Sequence, residues 1–232
     1  MEKHSVVSRA EWEEARKRLL TEEKDFTRAR DRLSQHRREL PWEPVEKSYV
    51  FQGPNGTETL SDLFDGRSQL IVYHFMFGAD WPAGCPHCSH WADSFDRAIV
   101  HLNHRDVTVA AVSRAAFAKL DAYKKRMGWS FKWVSSGGSD FNRDFGVAFT
   151  PEEVAAKKAD YNFTIQDPRS TEREGISVFC KDDSGLYRTY SCYARGIDMM
   201  NVDYQYLDLV PKGRDEGGRG PFWVRRHDEY QD

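Results

Sequence analysis

The stretch from Gln69 to Cys88 constrains the fold more than any other part of the chain. QLIVYHFMFG (Gln69 to Gly78) is a near-continuous apolar run, rich in branched and aromatic side chains. At that length it is predicted as a strand buried on both faces, as in a sheet covered by helices. A short loop, ADWPAG, leads into Cys85-Pro86-His87-Cys88. From there the apolar residues fall at Cys88, Trp91, Ala92, Phe95, Ile99 and Leu102, which is helical spacing. Cys85 is thereby placed at a helix N-terminus, with Pro86 at the first helical position, where a missing N–H costs nothing.

The flanks extend this unit into an α/β sheet. DVTVAAVS reads as a second buried strand and RAAFAKLDAYKKRMG as a helix, capped by Ser113 and closed by Gly128. WSFKWVSS reads as a further strand. Strand, helix, strand, helix, strand implies parallel pairing. Upstream, YVFQGPNGTETLSDLFDG fits two short strands about a Gly-Pro-Asn-Gly turn, then a helical turn. Downstream, residues 151–174 are polar and weakly patterned, and are expected as an insertion with one helix. GISVFCKDDSGLYRTYSCYARG is expected as a hairpin turning at Asp183–Gly185, and GIDMMNVDYQYLDLV as a closing helix. The C-terminal tail is loop-like, but its Phe222, Trp223 and Tyr230 point to docking.

Residues 1–44 form a separate arm, and residues 45–232 the main domain. Ser8 to Glu39 is predicted as one helix, with Ser8 and Glu11 making a capping box and Pro41 and Pro44 ending it. Trp12, Leu19, Phe26 and Leu33 recur every seven residues on a highly charged rod. A heptad-spaced stripe favours another helix as partner, so a homodimer is expected, the alternative being an arm that lies across its own sheet or closing helix.

The cysteine pair admits three chemistries. Haem attachment needs His directly after the second Cys, and Ser89 stands there. Zinc needs four ligands; Cys85, Cys88 and His90 supply three, and no second CxxC or HxxxH follows, so zinc is the minority alternative. A redox dithiol needs what is present. The dipole and free N–H groups of the helix N-terminus favour a thiolate on Cys85. Cys88, one turn on, can attack the mixed disulfide. His87, when protonated, adds a cation beside Cys85. Cys180 and Cys192 are read as unpaired: in the expected hairpin Cys180 faces Tyr187, leaving Cys192 about 16 Å along the strand, beyond disulfide reach.

This order of elements resembles thioredoxin over Tyr49 to Tyr193, with an N-terminal extension of the kind peroxiredoxins use. Over nearly the whole chain, FMFGADWPAGCPHCSHWADSFD, AYKKRMGWSFKWVSS, DFNRDFGV and TYSCYARGIDMMN resemble a bacterial family, domain of unknown function 899, classed as thioredoxin-like. The resemblance implies a thioredoxin-like α/β fold, a central mixed sheet flanked by helices, here with the long N-terminal arm. It also implies places for further site residues. His74 matches the position of the buried acid that relays the proton of the second Cys in thioredoxins; it is either that relay or a core histidine. Thioredoxins place a cis-proline before the strand facing the CxxC, and here Gly175-Ile176 stands there, with Ile176 at the substrate-aligning position. The peroxiredoxin pattern Pro-x-x-x-Thr/Ser-x-x-Cys is absent: counting back from Cys85 gives Pro82 and Gly78, and from Cys88 gives Cys85 and Trp81. Trp81 and Pro82 either wall a substrate groove or pack the loop. Arg195 and Arg143 either bind an anion near the site or are solvated.

The net charge of −3 gives no reason to expect nucleic acid or an anionic membrane as partner. The N-terminal MEKHSVVSRAEWEEARKRLL lacks the apolar core of a signal peptide, so a cytoplasmic protein is expected, where thiols rest reduced. The resulting expectation is a thiol–disulfide oxidoreductase with Cys85 as nucleophile, Cys88 resolving, His87 tuning and no cofactor beyond its redox-active disulfide. Its partners would be a small-molecule oxidant or disulfide and a thiol reductant. The alternative is a non-enzymatic metal-binding or redox-sensing module built on the same cysteines.

Overall fold

The computed structural model describes residues 4–231. The chain divides into two compact units, one ending at Pro41 and one beginning at Trp42. The first is the helix α1 (Arg9–Arg38). The Ser8 hydroxyl accepts the Glu11 N–H and the Glu11 carboxylate accepts the Ser8 N–H, so the capping box forms as the sequence reads. His36, Arg37 and Arg38 fill the last turn, where cations complement the helix dipole. No residue of α1 is buried, and Trp12, Leu19, Phe26 and Leu33 all lie open.

The second unit is built on an eight-stranded sheet among the described residues. Its elements follow in chain order: β1 (Glu43–Pro44), β2 (Val50–Gly53), β3 (Gly56–Thr59), a 3₁₀ turn at Asp62–Phe64, then β4 (Gln69–His74). Two helices, α2 (Pro86–Asp96) and α3 (Ile99–His104), lead to β5 (Val107–Ser113). After it come α4 (Phe117–Met127), β6 (Lys132–Ser135), α5 (Phe141–Asp144) and α6 (Pro151–Ala156). A small hairpin of β7 (Ala159–Tyr161) and β8 (Thr164–Gln166) precedes β9 (Gly175–Asp182) and β10 (Gly185–Tyr193). A 3₁₀ segment, Ala194–Met200, and α7 (Val202–Leu207) finish the regular structure. The sheet order is β1-β10-β9-β4-β5-β6-β2-β3, with β4, β5 and β6 parallel and β9 and β10 antiparallel. A central strand feeding a CxxC helix, flanked by a parallel neighbour on one side and an antiparallel hairpin on the other, is the thioredoxin-like arrangement. Among the described residues no helix is long and apolar enough to cross a membrane.

Strand alternation sorts β4 between two cores. Tyr73, with Phe75 and Phe77 beyond the strand, packs with Cys88, Ala92 and Leu120 under α2 and α4. Leu70 and Val72 pack with Val112, Phe141 and Phe145 on the other face. The row Tyr73, Ile176, Cys192 pairs across three strands on the Cys88 face.

Local expectations fail where side chains find tertiary partners. Ser113 does not cap α4. It completes β5 opposite Ser135, and its hydroxyl donates to the Phe75 carbonyl at 2.6 Å, so α4 starts after Ala116. The closing helix is split at Asn201, whose extended backbone carries a buried side chain bonded to Ser94 and His90. The helix after Cys88 is likewise broken into α2 and α3. The hairpin register matches the sequence reading: Cys180 pairs with Tyr187, Cys192 with Ile176, and the two are not joined by a disulfide.

Candidate active site

The backbone of Met76 is bracketed by the two cysteines. Its carbonyl accepts the Cys85 N–H at 3.0 Å and its N–H donates to Cys88 Sγ at 3.4 Å. This brings the loop of residues 78–84 back so that α2 opens against the end of β4, with Cys85 as N-cap and Pro86 in the first turn. Gly84 is needed there: a Cβ would come within 2.8 Å of the Phe75 ring and 2.9 Å of the Tyr123 ring, neither of which can swing aside in a packed core. Cys85 is partly exposed, and Cys88 is fully buried.

The two thiols are polarised in opposite directions. Hydrogen bonding from Cys88, then from His87 and the Cys88 backbone N–H, holds the Cys85 thiol well below the usual thiol range, against burial. Burial pushes Cys88 well above that range; the hydrogen bond and negative charge of Cys85 add to it, as does the charge of Glu174. His87 is pushed up, chiefly by its hydrogen bond to Cys85, while burial opposes. Its Nε2 lies 3.1 Å from the Pro221 carbonyl, which accepts a hydrogen bond from it. An imidazolium satisfies both neighbours at once, a carbonyl and a thiolate.

The C-terminal tail supplies that carbonyl and is fastened beside it. Arg226 donates to the Gly84 carbonyl at 2.7 Å and to the Tyr123 hydroxyl at 2.8 Å. Tyr123 in turn meets Ser89, whose hydroxyl donates to the Cys85 carbonyl at 2.9 Å. Val224 is buried, so the tail docks as its aromatic content implied, though by this valine more than by Phe222 or Tyr230, which stay exposed.

A cavity of about 810 Å³ opens over both cysteines. Its floor includes Met76, Cys85, Cys88 and Trp91, and its walls come from the insertion, the segment after β10, and the tail. His87 and His90 line it, as do Glu174 and Arg195. Several residues named from sequence are placed elsewhere. His74 is on the opposite face from Cys88, bonded to Ser177 Oγ at 2.9 Å and stacked on Phe145. Burial, aided by the charge of Arg188, lowers it to about 3 and keeps it neutral. Of its two readings, relay or core histidine, this place is that of the core histidine: alternation along β4 turns Tyr73, not His74, toward Cys88. Trp81 packs against Gly78 and the core under α2, Pro82 is exposed on the loop, and Ile176 is buried in the sheet row beneath Cys88; none of the three lines the cavity. Arg143 is engaged by Glu153, away from the dithiol.

His90 is engaged at both ring nitrogens. Asn201 donates to its Nδ1 at 3.2 Å, which leaves Nε2 the protonated nitrogen, directed at Asp203. It latches α2 to the start of α7. Among the described residues no three His, Cys, Asp or Glu side chains gather as a metal site. Sequence reasoning missed Tyr73, Glu174, Pro221 and Arg226. Parity along β4 puts Tyr73 and His74 on opposite faces but does not say which of them meets Cys88. The other three reach the site through contacts that no local pattern records.

Residues 1–230 match the family described as bacterial protein of unknown function (DUF899). A comparison with curated proteins found no match. Among solved structures, a peroxidoxin BcpB from Mycobacterium tuberculosis is similar at 12% identity and a TM-score of 0.48, covering 70% of this chain and 94% of that one. A cysteine-to-serine mutant of peroxiredoxin Q from Xanthomonas campestris is similar at 15% identity and a TM-score of 0.47, covering 72% and 98%. A cysteine-to-serine mutant of PrxQ from Xylella fastidiosa is similar at 13% identity and a TM-score of 0.46, covering 71% and 94%.

Proposed function

We propose that this chain, which belongs to the DUF899 family of bacterial proteins of unknown function, is a thiol–disulfide oxidoreductase working through Cys85 and Cys88. The observation that supports this reading is the polarised pair: an acidified, accessible thiol at a cavity floor and a buried, protonated one a turn behind it. The Cys85 thiolate attacks a substrate disulfide, forming a mixed disulfide and expelling one thiolate. Cys88 then loses its proton, for which Glu174 on the cavity wall is the nearby carboxylate whose charge it feels. Cys88 attacks Cys85 Sγ, the second substrate thiolate leaves, and two electrons have passed to the substrate. An external thiol reductant restores the pair.

Iodoacetamide at neutral pH should label Cys85 long before Cys88, because the thiolate is the nucleophile and only Cys85 is reachable. Peptide mapping after partial reaction reads this directly. Equal labelling, or labelling of Cys88 first, would remove the assigned roles.

The second proposed partner is another copy of the chain, through α1. Its seam of Trp12, Leu19, Phe26 and Leu33 has the heptad spacing of a helix pair and is exposed throughout. Light scattering should give a dimer that becomes a folded monomer when residues 1–40 are deleted. A full-length monomer would contradict it.

A further inference from the structure

We infer that the cavity over Cys85 takes a small disulfide carrying carboxylates, held at its mouth by Arg169 and Arg195. This rests on the dithiol reading and adds the class of substrate to it.

The cavity is the size of a small-molecule site and has the reactive thiol on its floor. The insertion, the segment after β10 and the tail wall it in, so an extended protein chain has no open sheet edge to lie along beside Cys85. Its ionic groups then decide what enters. Every carboxylate on the wall has a partner within the protein. Glu174 is paired with Arg173 and accepts from Tyr161. Asp198 is shared by Arg214 and Arg195. Glu216 accepts from Tyr204 and Trp223. Asp167 accepts the Arg169 backbone N–H at 2.8 Å.

The cations are not all committed. Arg214 is clamped by Asp208 and Asp198 and lies over the Tyr204 ring. Arg173 lies over Tyr161. Arg195, by contrast, is 88% exposed and touches only an Asp198 already held by Arg214. Among the described residues no side chain engages the Arg169 guanidinium. Two backbone features present this pair: Arg169 itself (φ 61°) and Ala194 (φ 48°), just before Arg195, both sit in the left-handed region that non-glycine residues rarely adopt. The four arginines and four carboxylates of the lining balance in formal charge, but the groups left without a dedicated partner are the two guanidiniums, whose forks match carboxylates. The overall reaction is protein dithiol plus substrate disulfide giving protein disulfide plus two substrate thiols. An external thiol reductant completes the cycle.

The test uses the reduced full-length protein and three symmetrical small disulfides: dianionic dithiodipropionate, neutral bis(2-hydroxyethyl) disulfide and dicationic cystamine. Oxidation is followed by stopped-flow tryptophan fluorescence, and each rate is divided by that disulfide's rate with a free small thiol. The wild type should react fastest with the dianion. Arg169→Glu should lower the dianion-to-neutral ratio by about tenfold, the size of one partly screened ion pair, and Arg169→Lys should keep most of it. Arg195→Glu should act in the same direction. If the charge-reversal variants leave the ratio unchanged, the anion subsite is wrong while the dithiol reading stands. If none of the three disulfides oxidises Cys85 and Cys88 in the wild type, the dithiol reading itself falls.

Discussion

Cys88→Ser is expected to abolish turnover with any disulfide substrate while leaving Cys85 able to form one mixed disulfide per chain. The first attack needs only the Cys85 thiolate, which remains beside His87 and the helix N-terminus. Release within the chain needs a second sulfur, which Cys88 supplies one turn away. Serine fits this place, since its hydroxyl can accept the Met76 N–H that Cys88 Sγ accepts now. The fold should therefore survive and the defect be chemical. Intact mass would show a stoichiometric adduct, and steady-state turnover would fall to the uncatalysed background. Persistent turnover would mean that Cys88 does not resolve.

His87→Ala should move the pH profile of Cys85 alkylation upward and make the couple less oxidising. The sign follows from which state the imidazolium stabilises. It bonds the Cys85 thiolate, which exists only in the reduced protein. Removing it raises the reduced form in free energy and lowers the reduction potential. A loss of about one pKa unit corresponds to ~1.4 kcal/mol and about 30 mV for a two-electron couple. The wild-type profile should lie on the acid side of a free thiol's, since Cys85 is held well below the usual thiol range, and the variant's should be displaced back toward it. Coincident profiles would mean that the Pro221 carbonyl holds His87 without directing it at Cys85.

The features set by local chemistry were legible in the sequence. The capping box at Ser8, the proline opening α2, the left-handed Gly128 ending α4 and the pairing of Cys180 with Tyr187 each follow from a few neighbouring residues. The dithiol was legible for the same reason: strand, loop and helix N-terminus are contiguous. What failed depended on distant partners. His74 stayed open between a relay and a core histidine because a run buried on both faces does not say which face carries the chemistry, and the placement of Cys88 against Tyr73 supplies that. Asn201 broke a helix that its neighbours favour because its amide is buried against Ser94 and His90. Pro221 and Arg226 lie 134 and 142 residues from the atoms they bond, beyond any periodic signal. Trp81, Pro82 and Ile176 are near Cys85 in sequence or register, yet the cavity wall is made by the late segments instead.

The central claim is that Cys85 and Cys88 interconvert as one two-electron couple. Equilibration of the protein in glutathione buffers of graded redox ratio, followed by acid quench, alkylation and mass analysis, measures this most directly. The account predicts a single transition between a doubly alkylated and an unalkylated Cys85–Cys88 peptide, fitting two electrons, with Cys180 and Cys192 alkylated after unfolding at every ratio. Retention of both free thiols across the whole range, or accumulation of glutathione on Cys85 without an internal disulfide, would contradict it.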